Sequence, residues 1–324
     1  MDYIPLGATN LRTSRIAFGA MGIGSPIWRS WVLDEGASVP IIERAVELGI
    51  TFFDTSNFYS KGESERVLGA TLKRLLPRED YILATKVGNP MGTTPTTGGY
   101  SRKHILAAVD DSLRRLDVDY IDLYQTHVWR EGTNIEETLS ALDALVESGK
   151  VRYVGATDMP VWQFAKFLYE ARRLGRHGFA TMQHHYNLVW REHESELIPM
   201  CQAEGIGLLP YSPLARGFLS GDPRGHDRDT ERGRTDEYSR KWYGRASDQR
   251  VLESLRTVAA ERGADPAAVS VAWVLAKSPT GAPILGPTSA DQLDVVEQAL
   301  SMDLTPEEIA VLESPYVARL RYGH

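Results

Sequence analysis

The sequence predicts a single α/β domain over residues 1–324, a closed parallel (β/α)8 TIM barrel with an N-terminal β-hairpin and extra C-terminal helices. Three observations predict it. Eight short apolar runs alternate with stretches whose apolar residues recur at helical spacing. No shift in composition resembling a linker divides those eight units. Eight is also the number at which such a parallel sheet closes around a filled interior. A doubly wound open sheet is the competing fold, but no Gly-x-Gly-x-x-Gly follows the first strand, so its phosphate-binding fingerprint is missing.

In chain order, Tyr3 to Ser14 reads as two extended pieces around Gly7-Ala8-Thr9-Asn10, a hairpin that plugs or caps one barrel end. Ile16 to Gly19 is the first buried strand; a long loop with Trp28 and Trp31 leads to a helix carrying Ile41, Ile42, Ala45 and Val46, closed by Gly49. The second strand is Thr51 to Asp54. Its helix begins at Lys61-Gly62-Glu63-Ser64-Glu65, where acids suit the helix dipole, and carries Leu68, Leu72 and Leu75. Tyr81 to Thr85, the third strand, ends at Lys86 and precedes a helix with Ile105, Val109, Leu113 and Leu116. Tyr120 to Gln125, the fourth, runs out at His127, and Ile135, Leu139, Leu142 and Val146 mark the helix behind it. The fifth strand starts at Val151 and ends at Thr157-Asp158; Ala180 to Gln183 is the sixth and Ile206 to Tyr211 the seventh. Ala282 to Leu285 is the eighth, with a helix around Leu293, Val296 and Leu300.

Two stretches depart from the repeat. Ser212 to Ser247 is a long polar segment of mixed charge, either a solvated excursion or a mobile lid. Extra helices follow it: one with Val251, Leu252, Leu255 and Val258, one from Pro266 to Lys277, and one capped at Thr305-Pro306-Glu307-Glu308 near the C-terminus.

Composition excludes several functions. With 36 Lys and Arg against 43 acids, a net charge of −7 and no long basic block, nucleic acid is not an expected partner. No basic region followed by an apolar run opens the chain and no apolar run is long enough to span a bilayer, so a cytoplasmic protein without a membrane partner is expected. Cys201, the single cysteine, falls on the apolar stripe of a helix and reads as a small buried hydrophobe. His184 and His185 are adjacent on an extended segment, where side chains diverge, so no metal site is expected.

The chemistry converges at one barrel mouth. Asp54, Lys86 and His127 stand at or just past the ends of strands two, three and four, and Tyr59 lies in the loop after strand two. Neighbouring strands lie about 5 Å apart, so the Asp and Lys can pair and the Tyr can meet the Lys. A phenol titrates near pH 10, and a neighbouring ammonium lowers that value by stabilising the phenolate. Asp54 would keep Lys86 charged and aimed, while a neutral His127 could orient a substrate oxygen. Such a set suits carbonyl reduction, in which an arriving hydride creates an alkoxide that must be protonated. A structural ion pair and a satisfied histidine are the plainer reading of the same residues.

Longer stretches carry a resemblance. FDTSNFYSKGESERVLG at Phe53 to Gly69, ATKVG at Ala84 to Gly88, SLRRLDVDYIDLYQTH ending at His127, ETLSALDALVESGKVRYVGATDM at Glu137 to Met159 and YSPLARGFLSG at Tyr211 to Gly221 resemble the aldo-keto reductases. The similarity extends over essentially the whole chain, within the branch of potassium-channel β-subunits and aryl-alcohol or sugar-carbonyl reductases. It implies reversible NADPH-dependent reduction of aldehydes and ketones, with Tyr59 as general acid and Asp54, Lys86 and His127 completing a tetrad. It further implies that Tyr211 stacks on the nicotinamide, that Gln183, Thr157 and Asp158 hold its carboxamide, and that Gly19, Ala20 and Met21 line the floor. Ser212, Leu214, Arg216 and Gly217 would cover the pyrophosphate, and Gly286, Thr288, Ser289 and Gln292 would hold the adenosine end.

This sequence departs from the pattern at Thr157-Asp158, where Ser-Asn is common, and at Thr288, where many relatives place an Arg or Lys for the 2′-phosphate. Thr288 and Ser289 hydroxyls with Arg216 nearby are the expected substitute, and NADH use stays open. Trp28, Trp31, Trp129, Met159 and Trp190 are the expected substrate walls, although anchoring of loops would explain the same large side chains. An oligomer is possible. Two rival functions stand beside reduction: a cofactor-sensing partner subunit with slow turnover, and a lyase or isomerase using Lys86 as a Schiff-base amine.

Overall fold

A computed structural model describes residues 1–222, 230–278 and 281–319, so part of the long polar segment, residues 223–229, lies outside the described residues. The chain begins with the hairpin β1 (Tyr3–Pro5) and β2 (Arg12–Ser14). The strands β3 (Ala17–Gly19), β4 (Phe52–Asp54), β5 (Ile82–Val87), β6 (Ile121–Thr126), β7 (Val151–Thr157), β8 (Thr181–His185), β9 (Gly207–Tyr211) and β10 (Ile284–Leu285) close in chain order into a parallel barrel, β10 returning to β3. Outside it lie α1 (Glu35–Glu47), α2 (Glu63–Leu75), α3 (Arg102–Leu116), α4 (Ile135–Glu147), α5 (Val161–Arg173) and α6 (Leu197–Ala203). Two short helices, α7 (Glu231–Thr235) and α8 (Glu237–Trp242), follow β9; α9 (Ala246–Arg262), α10 (Pro266–Lys277), α11 (Val295–Leu300) and α12 (Pro306–Glu313) complete the chain. The fold is the (β/α)8 barrel that the eight units predict.

Two apolar shells separate cleanly. Between barrel and helices, outward strand residues such as Phe53, Leu83 and Tyr124 pack against Leu68, Ile105, Leu139 and Phe167. Inside, Phe52, Ile82, Ala84, Leu123 and Leu209 form a smaller cluster. Strand side chains alternate with period two, so Phe52 and Asp54 share the inner face, as do Ile82, Ala84 and Lys86. The inner face is therefore apolar below and polar at the strands' C-terminal ends.

The hairpin plugs the opposite end. Leu6 is buried in the interior cluster, and the Ala8 N–H donates to Gly205 O at 2.7 Å. Gly7 has φ of +58° and lies so close that a Cβ there would stand 2.4 Å from Gly207 N. Only glycine fits that turn.

At the mouth, the described part of the long polar segment folds as α7 and α8 rather than as an excursion into solvent. Asp236, between those helices, accepts from Arg216 at 2.6 Å and from Arg232 at 3.2 Å, while Thr235 meets Ser30 of the loop after β3 at 3.2 Å. The two loops thus join across the barrel opening.

Candidate active site

The loop after β4 is built to hold Tyr59. Thr55 Oγ1 bonds Ser64 Oγ at 2.8 Å, and Ser64 donates to Ala20 O at 2.7 Å, which ties the start of α2 to the loops after β3 and β4. Ser60, Lys61 and Gly62 then take three successive left-handed conformations, with φ of 50°, 57° and 94°. Such strain persists only where the surroundings enforce it, and here it turns the chain sharply behind Tyr59.

The inner face at this end brings Asp54, Lys86, Gln125 and Gln183 together. The Lys86 ammonium donates to Asp54 Oδ2 at 2.5 Å, to Thr55 O at 2.8 Å and to Tyr59 Oη at 3.4 Å, so each of its three protons has an acceptor. Asp54 Oδ1 accepts from Gln125 Nε2 and from Gln183 Nε2, both at 2.9 Å. Lys86 is fully buried and Asp54 nearly so. Burial works to lower the Lys86 value, but Asp54 and Tyr59 together outweigh it and the net shift is upward, so Lys86 stays charged. A lysine saturated in this way is a poor Schiff-base amine.

Tyr59 shows a different balance from the one its spacing suggests. Burial raises the phenol, Lys86 lowers it through charge and hydrogen bond, Asp54 raises it again, and the net direction is upward. The expectation of a net lowering by Lys86 and Asp54 is corrected accordingly: desolvation of the phenolate wins. Lys86 still makes Tyr59 more acidic than the same burial would leave it.

His127 packs edge-on against Tyr59, ring centres 5.6 Å apart. Burial, reinforced by Lys86 and Arg130, pushes it well below the usual histidine range, so it is neutral. Its Nδ1 lies 3.0 Å from Ser56 Oγ, which itself accepts from the Phe58 N–H at 3.2 Å. Among the described residues the Ser56 hydroxyl proton has no other acceptor, so it points at Nδ1 and leaves the single N–H of the neutral ring on Nε2.

Above this floor lies a cavity of about 870 Å³ that Tyr59, His127 and Asp54 line. Gly19, Met21, Thr157, Asp158, Gln183, Tyr211, Ser212, Leu214, Arg216, Gly217, Gly286, Thr288 and Gln292 line it too; Ala20 and Ser289 do not. Trp28 and Trp190 are on its wall. Trp31, Trp129 and Met159 are not: Trp31 is buried beneath Arg232, Trp129 packs edge-on against Phe167 at 6.1 Å, and Met159 lies in the core between barrel and helices. Those three anchor loops. Arg216 lies over the Trp242 and Tyr238 rings at 5.0 and 5.4 Å and pairs with Asp236, which sets it against the aromatic wall of the cavity.

The cavity suits a dinucleotide at several points. Gln183 donates its amide nitrogen to Asp54, leaving its carbonyl oxygen as an acceptor for a carboxamide. Thr157 Oγ1 is buried without a partner among the described residues. Tyr211 donates to Asp158 at 3.0 Å and presents a ring that stacks, almost parallel, on His185 behind it. Burial pushes the Asp158 carboxyl up to about 7 against the lowering effect of Tyr211 and Lys86. Its side chain opens onto the cavity, so water there softens the shift until a ligand displaces it. Among the described residues no His, Cys, Asp and Glu group could hold a metal ion, and no helix is long and apolar enough to cross a membrane.

The sequence profile of the aldo/keto reductase family matches residues 15–316. The chain belongs to the aldo/keto reductase family. Among its relatives, the versiconal hemiacetal acetate reductase of Aspergillus parasiticus is 39% identical, with 98% of each chain covered. An aldo-keto reductase of Metarhizium robertsii is 34% identical over 100% of this chain and 93% of its own. A Schizosaccharomyces pombe protein named as an aryl-alcohol dehydrogenase is 36% identical over 96% of this chain and 94% of its own. This aldo/keto reductase is therefore an NAD(P)H-dependent oxidoreductase acting on carbonyl compounds. Several residues of this reductase's site carried no signal of their own in the sequence. Ser56 and Gln125 sit inside quoted motifs without an assigned role, and Tyr238 and Trp242, four apart in a polar segment, form an aromatic pair at the mouth.

Proposed function

We propose that the protein reduces aldehydes and ketones to alcohols, reversibly, with NADPH as cofactor and Tyr59 Oη as proton donor. The observation that supports this most is the saturated Lys86: its third proton points at Tyr59, which opens onto the cavity beside a neutral His127. When bound, the cofactor supplies the hydride. His127 Nε2–H donates to the substrate oxygen and holds it beside Tyr59 Oη, and Tyr59 protonates that oxygen as charge develops on it. Lys86 then stabilises the resulting phenolate, with its charge secured by Asp54. Tyr211, Gln183, Thr157 and Asp158 would hold the nicotinamide end, Ser212, Leu214 and Gly217 the pyrophosphate, and Gly286, Thr288 and Gln292 the adenosine.

Substrate enters between Trp28, Phe58, Trp190 and Trp242, an aromatic wall suited to aryl aldehydes. Thr288 and Gln292 bond each other at the adenosine end, and Asp291 lines the cavity near them. An acid there opposes a 2′-phosphate, so the choice between NADPH and NADH is the point to measure. Protein fluorescence titrations with each cofactor, alongside reduction of 4-nitrobenzaldehyde, test the proposal. Tighter binding of NADPH with turnover is the expected result; equal affinities overturn the cofactor assignment, and bound cofactor without turnover of any aryl aldehyde overturns the reductase reading.

A further inference from the structure

Arg29 is a cation on the cavity wall that reduction of a neutral aldehyde does not use. Its guanidinium carbon lies 4.4 Å from the centre of the Trp28 ring and 5.5 Å from that of Tyr238. Trp28 in turn stands 6.2 Å from the Tyr59 ring. One indole thus separates a fixed positive charge from the proposed proton donor.

The charges around it are otherwise committed. Arg216 and Arg232, which share the lining, both bond Asp236. Of the acids on the lining, Asp54 is taken by Lys86, Asp158 accepts from Tyr211, Asp265 caps α10 through the Ala267 N–H, and Asp291 bonds Ser289. The Arg29 guanidinium makes no hydrogen bond or ion pair to any described residue; it lies over the rings of Trp28, Trp31 and Tyr238. Stacking fixes the plane of a guanidinium and leaves its N–H edge free, and that edge matches a carboxylate with two parallel hydrogen bonds. Aromatic walls keep water sparse around such a pair and strengthen it.

We propose that Arg29 selects carbonyl substrates bearing a carboxylate about one aromatic ring away from the reacting carbon. This rests on the reductase reading given above. The carbonyl sits between Tyr59 and His127, the spacer lies along Trp28, and the carboxylate meets Arg29.

The test compares 4-carboxybenzaldehyde with its neutral methyl ester, methyl 4-formylbenzoate, in the wild type, Arg29→Met and Arg29→Lys, each first shown to bind NADPH. The ratio of kcat/KM for acid over ester cancels any general damage to the site and any difference in intrinsic reactivity. Arg29→Met is expected to lower that ratio about 10- to 100-fold, mainly through KM, as befits loss of a hydrogen bond to a charged group. Arg29→Lys should recover part of it, and added salt should lower the ratio in the wild type more than in Arg29→Met. An unchanged ratio in Arg29→Met overturns the proposal. If neither aldehyde is turned over, the reductase reading fails by itself, and calorimetric titration with 4-(hydroxymethyl)benzoate and its methyl ester in the presence of NADP+ still decides the role of Arg29. Selective loss of carboxylate binding in Arg29→Met supports it, and equal binding refutes it.

Discussion

Replacing Lys86 with methionine removes an ammonium whose three protons go to Asp54 Oδ2, Thr55 O and Tyr59 Oη. Methionine fills much of the same volume, so the change is chiefly one of charge. Asp54 would keep its two amide donors, Gln125 and Gln183, but sit almost fully buried without a cation. Removing one partner of a buried pair costs about 3–5 kcal/mol. Against a total stability of roughly 5–15 kcal/mol the variant should still fold. With a denaturant slope near 3 kcal/mol/M, its urea midpoint should fall by about 1–1.7 M. Activity should fall much further, by about 10²–10⁴-fold in kcat, because Tyr59 loses the one group that offsets its burial. Combining Lys86→Met with Asp54→Leu separates the two effects: an apolar pair in the same space should restore most of the stability and none of the rate. Urea unfolding followed by tryptophan fluorescence, with single-turnover reduction of 4-nitrobenzaldehyde, reads both. A single variant as stable as wild type, or a double variant that regains activity, would refute the reasoning.

Further predictions concern neighbours of the tetrad. Ser56→Ala removes the donor to His127 Nδ1 and frees the ring to place its proton on the wrong nitrogen; kcat/KM should fall about 3- to 10-fold, the worth of one hydrogen bond, with NADPH affinity kept. The Asp158 carboxyl is raised above its unfolded value of 3.8, to about 7 before water at the cavity lessens the shift, so its contribution to wild-type stability should fall as pH rises from 3.8 toward 7 and level off above. Asp158→Asn should abolish that slope in pH-dependent unfolding, and should also remove any weakening of NADPH binding through pH 7, because an amide can donate to a carboxamide oxygen at every pH. Gly7→Ala places a Cβ against Gly207 in a left-handed turn and should destabilise the barrel by about 1 kcal/mol or more without altering KM, as read by thermal unfolding and steady-state kinetics.

The barrel was legible because each strand is a short apolar run closed by a polar residue, a pattern set by alternation along the strand and by the position of the mouth. Asp54, Lys86 and His127 could be read for the same reason, and Tyr59 from its place in the following loop. What escaped depends on packing between segments far apart in sequence. Gln125 and Ser56 acquire roles only when β4, β6 and the loop after β4 meet, and Arg29 stands apart as a cation only once the fold sets it against aromatic rings while Arg216 and Arg232 pair with Asp236. The sign of the Tyr59 shift escaped too, since burial is a property of the assembled site and outweighs the visible Lys86. Large apolar residues were the least readable class: Trp28 and Trp190 face the cavity while Trp31, Trp129 and Met159 face the core, and nothing local distinguishes them.

The most direct test of proton donation from Tyr59 is reduction of 4-nitrobenzaldehyde by wild type and Tyr59→Phe, measured as NADPH oxidation in a single turnover, with cofactor affinity determined for both. Turnover in wild type that falls by about 10²-fold or more in Tyr59→Phe, with NADPH bound equally, is the result predicted. Equal turnover in the two proteins would contradict the account, because the proton would then come from a group other than the phenol that Lys86 addresses.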